Sequence, residues 1–127
     1  MEQQHVTAIV VTYNSAEVIE RCLHALAESP HIAPIIVVDN ASVDDTCAVI
    51  RREFPSVVII ENAHNLGFGR ANNAALEQVK TPHALLINPD AVIQPQEFEK
   101  LLAAAERYPE AGIIAPMLCD EEGHAHK

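Results

Sequence analysis

A chain of 127 residues has the size of one domain with a real core, and 49% hydrophobic but only 4% aromatic residues make that core aliphatic. With 8 basic against 18 acidic residues, a net charge of −10 argues against nucleic acid or an anionic membrane as a partner. A phosphate ligand would need a local cation to offset the same charge.

The first element is a buried strand, Val6-Thr7-Ala8-Ile9-Val10-Val11-Thr12. A helix is expected from Ser15 to about Glu28, with Val18, Ile19, Cys22, Leu23 and Leu26 on one stripe and Asn14 or Ser15 as its N-cap. Ser29-Pro30 ends it, and Ile35-Ile36-Val37-Val38-Asp39 reads as the second strand. Ser42 is expected to cap a second helix, with Asp45 three residues on as a capping-box analogue. Its stripe is Cys47, Ile50 and Phe54, and Pro55 stops it.

Val57-Val58-Ile59-Ile60 forms a third strand, and a third helix runs from about Phe68 to Val79. Leu85-Leu86-Ile87 belongs to a fourth strand that ends at Asn88-Pro89-Asp90. Pro95 suits the first turn of a fourth helix with the stripe Phe98, Leu101, Leu102, Ala105 and Tyr108. Ile113-Ile114-Ala115 is expected as a fifth strand, and residues 120–127 as a polar tail. Strands alternating with helices at this spacing give an α/β fold, a mostly parallel sheet with helices on both faces in the order β-α-β-α-β-α-β-α-β.

The unusual polar residues all follow strands: Thr12-Tyr13-Asn14, Asp39-Asn40-Ala41-Ser42, Asn62 to Gly69, and Asn88-Pro89-Asp90. In a doubly wound sheet these loops share the edge where ligands bind. Asp39, at a strand end, is placed to accept hydrogen bonds from a nucleobase, where its charge favours an N–H donor. Pro89 fixes its own φ and biases Asn88 toward an extended conformation, so the Asp90 carboxylate is aimed. A single carboxylate there suits a hard divalent cation that takes its other ligands from a phosphate.

Asn65-Leu66-Gly67-Phe68-Gly69-Arg70 combines glycines that permit close backbone approach with a helix start that offers N–H groups to an anion. The same segment also reads as a glycine-rich turn with an exposed Arg70, the only cation in the four edge loops. It is neither a P-loop nor a dinucleotide fingerprint, since no Gly-Lys-Ser/Thr follows and Thr12-Tyr13-Asn14 lacks glycine.

The three cysteines, Cys22, Cys47 and Cys119, are widely spaced without a CxxC pattern and read as reduced thiols of a cytosolic protein. Cys22 and Cys47 fall on apolar helix faces as core packing. His5, His24, His31, His64 and His83 show no metal-ligand spacing, and His124 and His126 sit in the polar tail. No apolar run approaches the ~20 residues of a membrane-spanning helix.

Val10-Val11-Thr12-Tyr13-Asn14, Val37-Val38-Asp39-Asn40-Ala41-Ser42, Asn65-Leu66-Gly67-Phe68-Gly69, Ala71-Asn72-Asn73 and Leu86-Ile87-Asn88-Pro89-Asp90-Ala91 occur in an order and spacing that resembles family 2 glycosyltransferases of the GT-A fold, in particular the rhamnosyltransferase-like branch. The resemblance covers nearly the whole chain. It implies inverting transfer of a sugar from a nucleotide-diphosphate donor to a glycan or lipid-linked acceptor, with Mg²⁺ or Mn²⁺, in the cytoplasm or at the inner face of the membrane.

The resemblance casts Thr12, Tyr13 and Asn14 as nucleoside contacts and Asp39 as the partner of the base. Asn65 and Gly67 would flank the nucleotide, with Arg70 near the diphosphate. Asn88-Pro89-Asp90 stands where the family carries its DxD motif, so Asp90 is the metal ligand, and Asn88 is left to hydrogen-bond a ribose or sugar hydroxyl. No acidic residue matches the family's general base, which is expected beyond Lys127. Residues 1–119 then form an incomplete nucleotide-sugar-binding domain.

Without an acceptor half, exposed apolar surface is expected to drive self-association. A non-catalytic nucleotide-binding or assembly module of the same fold is the alternative that the missing base leaves open. A sugar-phosphate nucleotidyltransferase would need a glycine-rich loop after the first strand, and none is there.

Overall fold

The structure, a computed structural model, describes residues 6–110 and 112. The elements are β1 (Val6–Thr12), α1 (Ile19–Ala27), β2 (Ile32–Asp39), α2 (Thr46–Glu53), β3 (Val58–Glu61), α3 (Gly67–Leu76), β4 (His83–Ile87) and α4 (Pro95–Arg107). The expected fifth strand, the polar tail, Cys119, His5, His124 and His126 lie outside the described residues. Two compact units are distinguished, one up to Gln94 and one from Pro95 onward. In the second, α4 starts at Pro95 and buries Phe98 and Leu102 of the expected stripe, while Tyr108 beyond its end is exposed.

In the first unit all strand pairs are parallel, in the order β3-β2-β1-β4. The aliphatic runs fill the sheet as their composition demands: Ala8, Ile9, Val10, Ile36, Val37 and Val38 are buried. Ile9, Ile36 and Val38 pack with Ala71 and Ala75 of α3 on one face. Alternation along the strands turns Ala8, Val10, Val37 and Asp39 to the other face, where α1 lies against β2 and α2. Fully burying each such Ile or Val contributes roughly 1.5–3 kcal/mol, which fixes the strand ends firmly.

The chain winds from β1 outward through β2 to β3, then crosses back to place β4 on the other side of β1. In open sheets the usual ligand position is beyond the carboxyl ends of the strands at such a reversal, here β1 and β4. Thr12, Asp39 and Glu61 stand in register across β1, β2 and β3 at that edge.

Several boundaries differ from those expected. α1 begins at Ile19, and neither Asn14 nor Ser15 caps it with a side chain. Asn14 has a left-handed φ of 50°, and residues 16–18 form a turn in which the Ser15 carbonyl accepts from the N–H groups of Val18 and Ile19. Ser42 does not cap α2, because its hydroxyl is drawn onto Asp39. Thr46, rather than Ser42, opens that helix, and its N–H is held by Asp44.

β2 starts at Ile32, three residues early. Its register against β1 shifts between Val6 and Ala8, so Pro34 sits at an irregularity where no ladder hydrogen bond is required of it. β3 is offset by one residue, to Val58–Glu61, and α3 stops at Leu76.

Candidate functional site

Asp39 is the centre of the edge. It is 3% exposed, and its carboxylate is gripped by three donors. Oδ1 accepts the Thr12 hydroxyl at 2.6 Å and the Ser42 hydroxyl at 2.6 Å. Oδ2 accepts the Ser42 N–H at 2.9 Å. A carboxylate held by charge-assisted hydrogen bonds cannot swing, so it is pre-oriented. Thr12 is itself fully buried, and its carbonyl accepts the N–H of Asn40.

The loops after β1 and β2 are stapled together around this carboxylate. The Asn14 N–H donates to the Ser42 hydroxyl, and Asn14 Oδ1 accepts the N–H of Val43, each at 2.8 Å. The Ser15 N–H donates to Thr46 Oγ1 at 2.8 Å, and the Ala16 N–H to Asp44 Oδ2 at 3.2 Å. The Thr46 hydroxyl in turn donates to Asp44 Oδ1. These bonds to Thr46 and to the neighbouring N–H groups hold the Asp44 carboxyl below the usual carboxylate range.

Asn40 extends the network to the loop after β3. This side chain is buried; Oδ1 accepts from Asn62 Nδ2 at 2.9 Å and from the Leu66 N–H at 3.3 Å, and Nδ2 donates to the Gly67 carbonyl at 3.2 Å. The Asn62 N–H adds a bond to the Asp39 carbonyl. Asn65 Oδ1 accepts the Gly67 N–H at 2.8 Å and so shapes the start of α3.

Gly67 has φ 82°, a conformation that favours glycine. A Cβ at Gly67 or Gly69 would meet no protein atom within 4 Å, so the first turn of α3 presents open backbone. Arg70 is exposed on that turn and forms no ion pair among the described residues.

Beyond β4, the Ala91 N–H donates to the Asn88 carbonyl at 3.0 Å and closes a turn with Pro89 at its second position and Asp90 at its third. Asn88 and Asp90 are exposed. Cys22, buried on α1, donates its thiol to the same Asn88 carbonyl at 3.6 Å. Burial, and secondarily the Asp90 charge, push this thiol up to about 12. The Cys47 thiol, half-buried on α2, is pushed up to about 12 by burial and then by the Asp39 and Glu61 carboxylates beside it. Cys22 is therefore core, as expected, whereas Cys47 borders the site.

Tyr13 completes the rim with half its surface exposed, 52%. Tyr13, Asn14, Asn65, Asn88 and Asp90 thus fall on loops of the carboxyl edge, Asp39 at the end of β2 with Thr12 beside it, and Gly67 and Arg70 in the first turn of α3. Sequence reasoning passed over Asn40, Asp44, Thr46 and Asn62. Asn40 and Asn62 lay within the polar segments already noted, but their pairing spans 22 residues and left no local signal. Among the described residues no three His, Cys, Asp or Glu side chains form a metal-holding cluster, and no helix is long and apolar enough to cross a membrane.

The family description "Glycosyl transferase family 2" matches residues 7–124. The chain is 29% identical over 132 residues to N-acetylglucosaminyl-diphospho-decaprenol L-rhamnosyltransferase of Mycobacterium tuberculosis, an alignment covering 93% of this chain and 42% of that protein. It therefore spans about two fifths of the length of that relative.

Mannosyltransferase PcManGT of Pyrobaculum calidifontis, solved with GDP-Man and Mn²⁺, superposes with a TM-score of 0.70 at 28% identity, covering 91% of this chain and 35% of that one. TarS of S. aureus, solved with UDP-GlcNAc, gives a TM-score of 0.72 at 22% identity over 91% of this chain and 38% of that one, a likeness of fold alone. The GT-A architecture expected from the sequence is the one observed.

Proposed function

Because the chain belongs to glycosyl transferase family 2, we propose that it forms the donor-binding part of an inverting glycosyltransferase that uses a nucleotide-diphosphate sugar with Mg²⁺ or Mn²⁺. The observation that carries this reading is the pre-oriented Asp39 carboxylate, set among the α3 start and the Asn88–Asp90 turn on one sheet edge.

In this reading Asp39 accepts an N–H of the base, and Tyr13 covers the base with its exposed ring. Thr12 serves the base through Asp39, and Asn14 holds the two loops in place while offering its amide N–H groups to the nucleoside. The open backbone of Gly67 and Gly69 receives the diphosphate, with Arg70 as its cation and Asn65 fixing the turn. Asn88 is a partner for a ribose or sugar hydroxyl.

The donor set fits a divalent ion in one way only. A lone exposed carboxylate, Asp90, is too little for a protein-only site, but Mg²⁺-type sites take one or two carboxylates plus the ligand's phosphates and water. When bound, the ion offsets the diphosphate charge as the leaving group departs. Asp90 and its turn would hold it, and metal affinity without nucleotide should be weak. The Mycobacterium tuberculosis relative is named for a lipid-diphosphate-linked sugar acceptor, which supports a lipid-linked or glycan acceptor here.

The test is calorimetric titration of UDP, dTDP and GDP with and without Mn²⁺ into the wild type and Asp90→Ala. Metal-dependent binding that Asp90→Ala weakens by at least about tenfold is expected. Absence of binding under every condition would refute the reading and favour an assembly module that keeps the fold.

A further inference from the structure

The hydrogen bonds already made by Asp39 limit which base it can read. A carboxylate offers about four lone-pair positions, two on each oxygen. On Asp39, Oδ1 has both taken, by the hydroxyls of Thr12 and Ser42 at 2.6 Å each. Oδ2 has one taken, by the Ser42 N–H at 2.9 Å. At most one position is left, on Oδ2, and the side chain shows only a sliver of surface, with 3% of the residue exposed.

Resting on the donor-binding reading above, we propose that the site takes a uracil or thymine diphosphate donor and discriminates against guanine, because Thr12 and Ser42 saturate Asp39 Oδ1 and leave Oδ2 to accept a single base N–H. Uracil and thymine present one such donor, N3–H, between two carbonyls. Guanine presents two adjacent donors, N1–H and the 2-amino group, which suit both oxygens of an open carboxylate. Here the second would face an oxygen already filled, and a desolvated donor without a partner is costly. The fold does not make this choice, since PcManGT shares it and was solved with GDP-Man. Thr12 and Ser42 are thereby specificity-determining residues that act through Asp39.

The ligand-side test compares UDP, dTDP, GDP and IDP, each titrated with Mn²⁺ into the full chain by calorimetry. IDP is GDP without the 2-amino group. UDP and dTDP should bind at least about tenfold more tightly than GDP, and GDP should bind no more tightly than IDP. Thr12→Val keeps the side-chain shape and frees a position on Oδ1, so it should raise GDP binding relative to IDP. Ser42→Ala frees the other position from a half-buried site and gives the same readout if Thr12→Val does not fold. GDP binding as tightly as UDP, or GDP well above IDP on the wild type, would overturn this inference while leaving the donor-binding reading intact. No binding of any of the four would overturn both.

Discussion

Gly69→Ala separates what the fold needs at the start of α3 from what a ligand needs. Gly67 must be glycine for its φ of 82°, but Gly69 lies outside the left-handed region, within the helix Gly67–Leu76. An added Cβ at Gly69 meets nothing within 4 Å, so the protein itself supplies no steric reason for glycine. Glycine inside a helix costs about 0.8–1 kcal/mol relative to alanine. In the first turn about 0.5–1 kcal/mol of that should be recovered, which raises Tm by roughly 2–5 °C for a domain of this size.

If the backbone here approaches a diphosphate, the new methyl group occupies the approach, and UDP affinity should fall by at least about tenfold, or about 1.4 kcal/mol. Thermal unfolding by circular dichroism and calorimetric titration of UDP with Mn²⁺ read the two effects on one preparation. A more stable variant that binds UDP like the wild type would refute the reasoning that assigns this turn to the ligand. A less stable variant would refute the reading of its backbone.

Ala41 holds a left-handed φ of 65°, which costs an alanine roughly 1–2 kcal/mol. Ala41→Gly should therefore stabilise the fold by about 0.5–1 kcal/mol after the added freedom of the unfolded chain is subtracted, seen as a higher urea midpoint with unchanged slope; a lower midpoint would contradict it. Cys22 and Cys47, both pushed up to about 12, carry a thiolate fraction on the order of 10⁻⁴ at pH 8. In a Cys119→Ser background they should resist a disulfide reagent until the protein unfolds, and rapid labelling of the native state would contradict this. Their folded values are raised, so the stability they contribute is complete below the ordinary thiol value of about 8.5 and is lost as pH rises from there toward 12.

The sheet was legible because its signal is local. Aliphatic runs of four to seven residues, punctuated by polar loops, mark parallel strands without reference to anything distant, and the polar residues after each run mark the edge. What stayed hidden depends on contacts between loops. The start of α1 slipped to Ile19 because Asn14, Ser15 and Ala16 are bonded to residues 42–46 of the next loop. Ser42 is a good N-cap by type, but a buried carboxylate three residues earlier competes for its hydroxyl and wins.

The apolar run placed the start of the second strand at Ile35, and the irregular pairing with β1 lets the strand begin at Ile32 and include Pro34. Within the site, Asp39 stood out as an acidic residue at a strand end. The depth of its burial, the two hydroxyls on one of its oxygens and the role of Asn40 all rest on side chains brought together by the sheet.

Chemical-shift mapping of ¹⁵N-labelled protein titrated with UDP and Mg²⁺ tests the central claim most directly. The account predicts that the perturbed amides cluster in the loops after the four strands, at residues 12–14, 39–42, 65–70 and 88–91. Perturbations centred instead on the groove lined by Glu20, Arg21, His24, Glu28 and Val92, or none at saturating nucleotide, would contradict it.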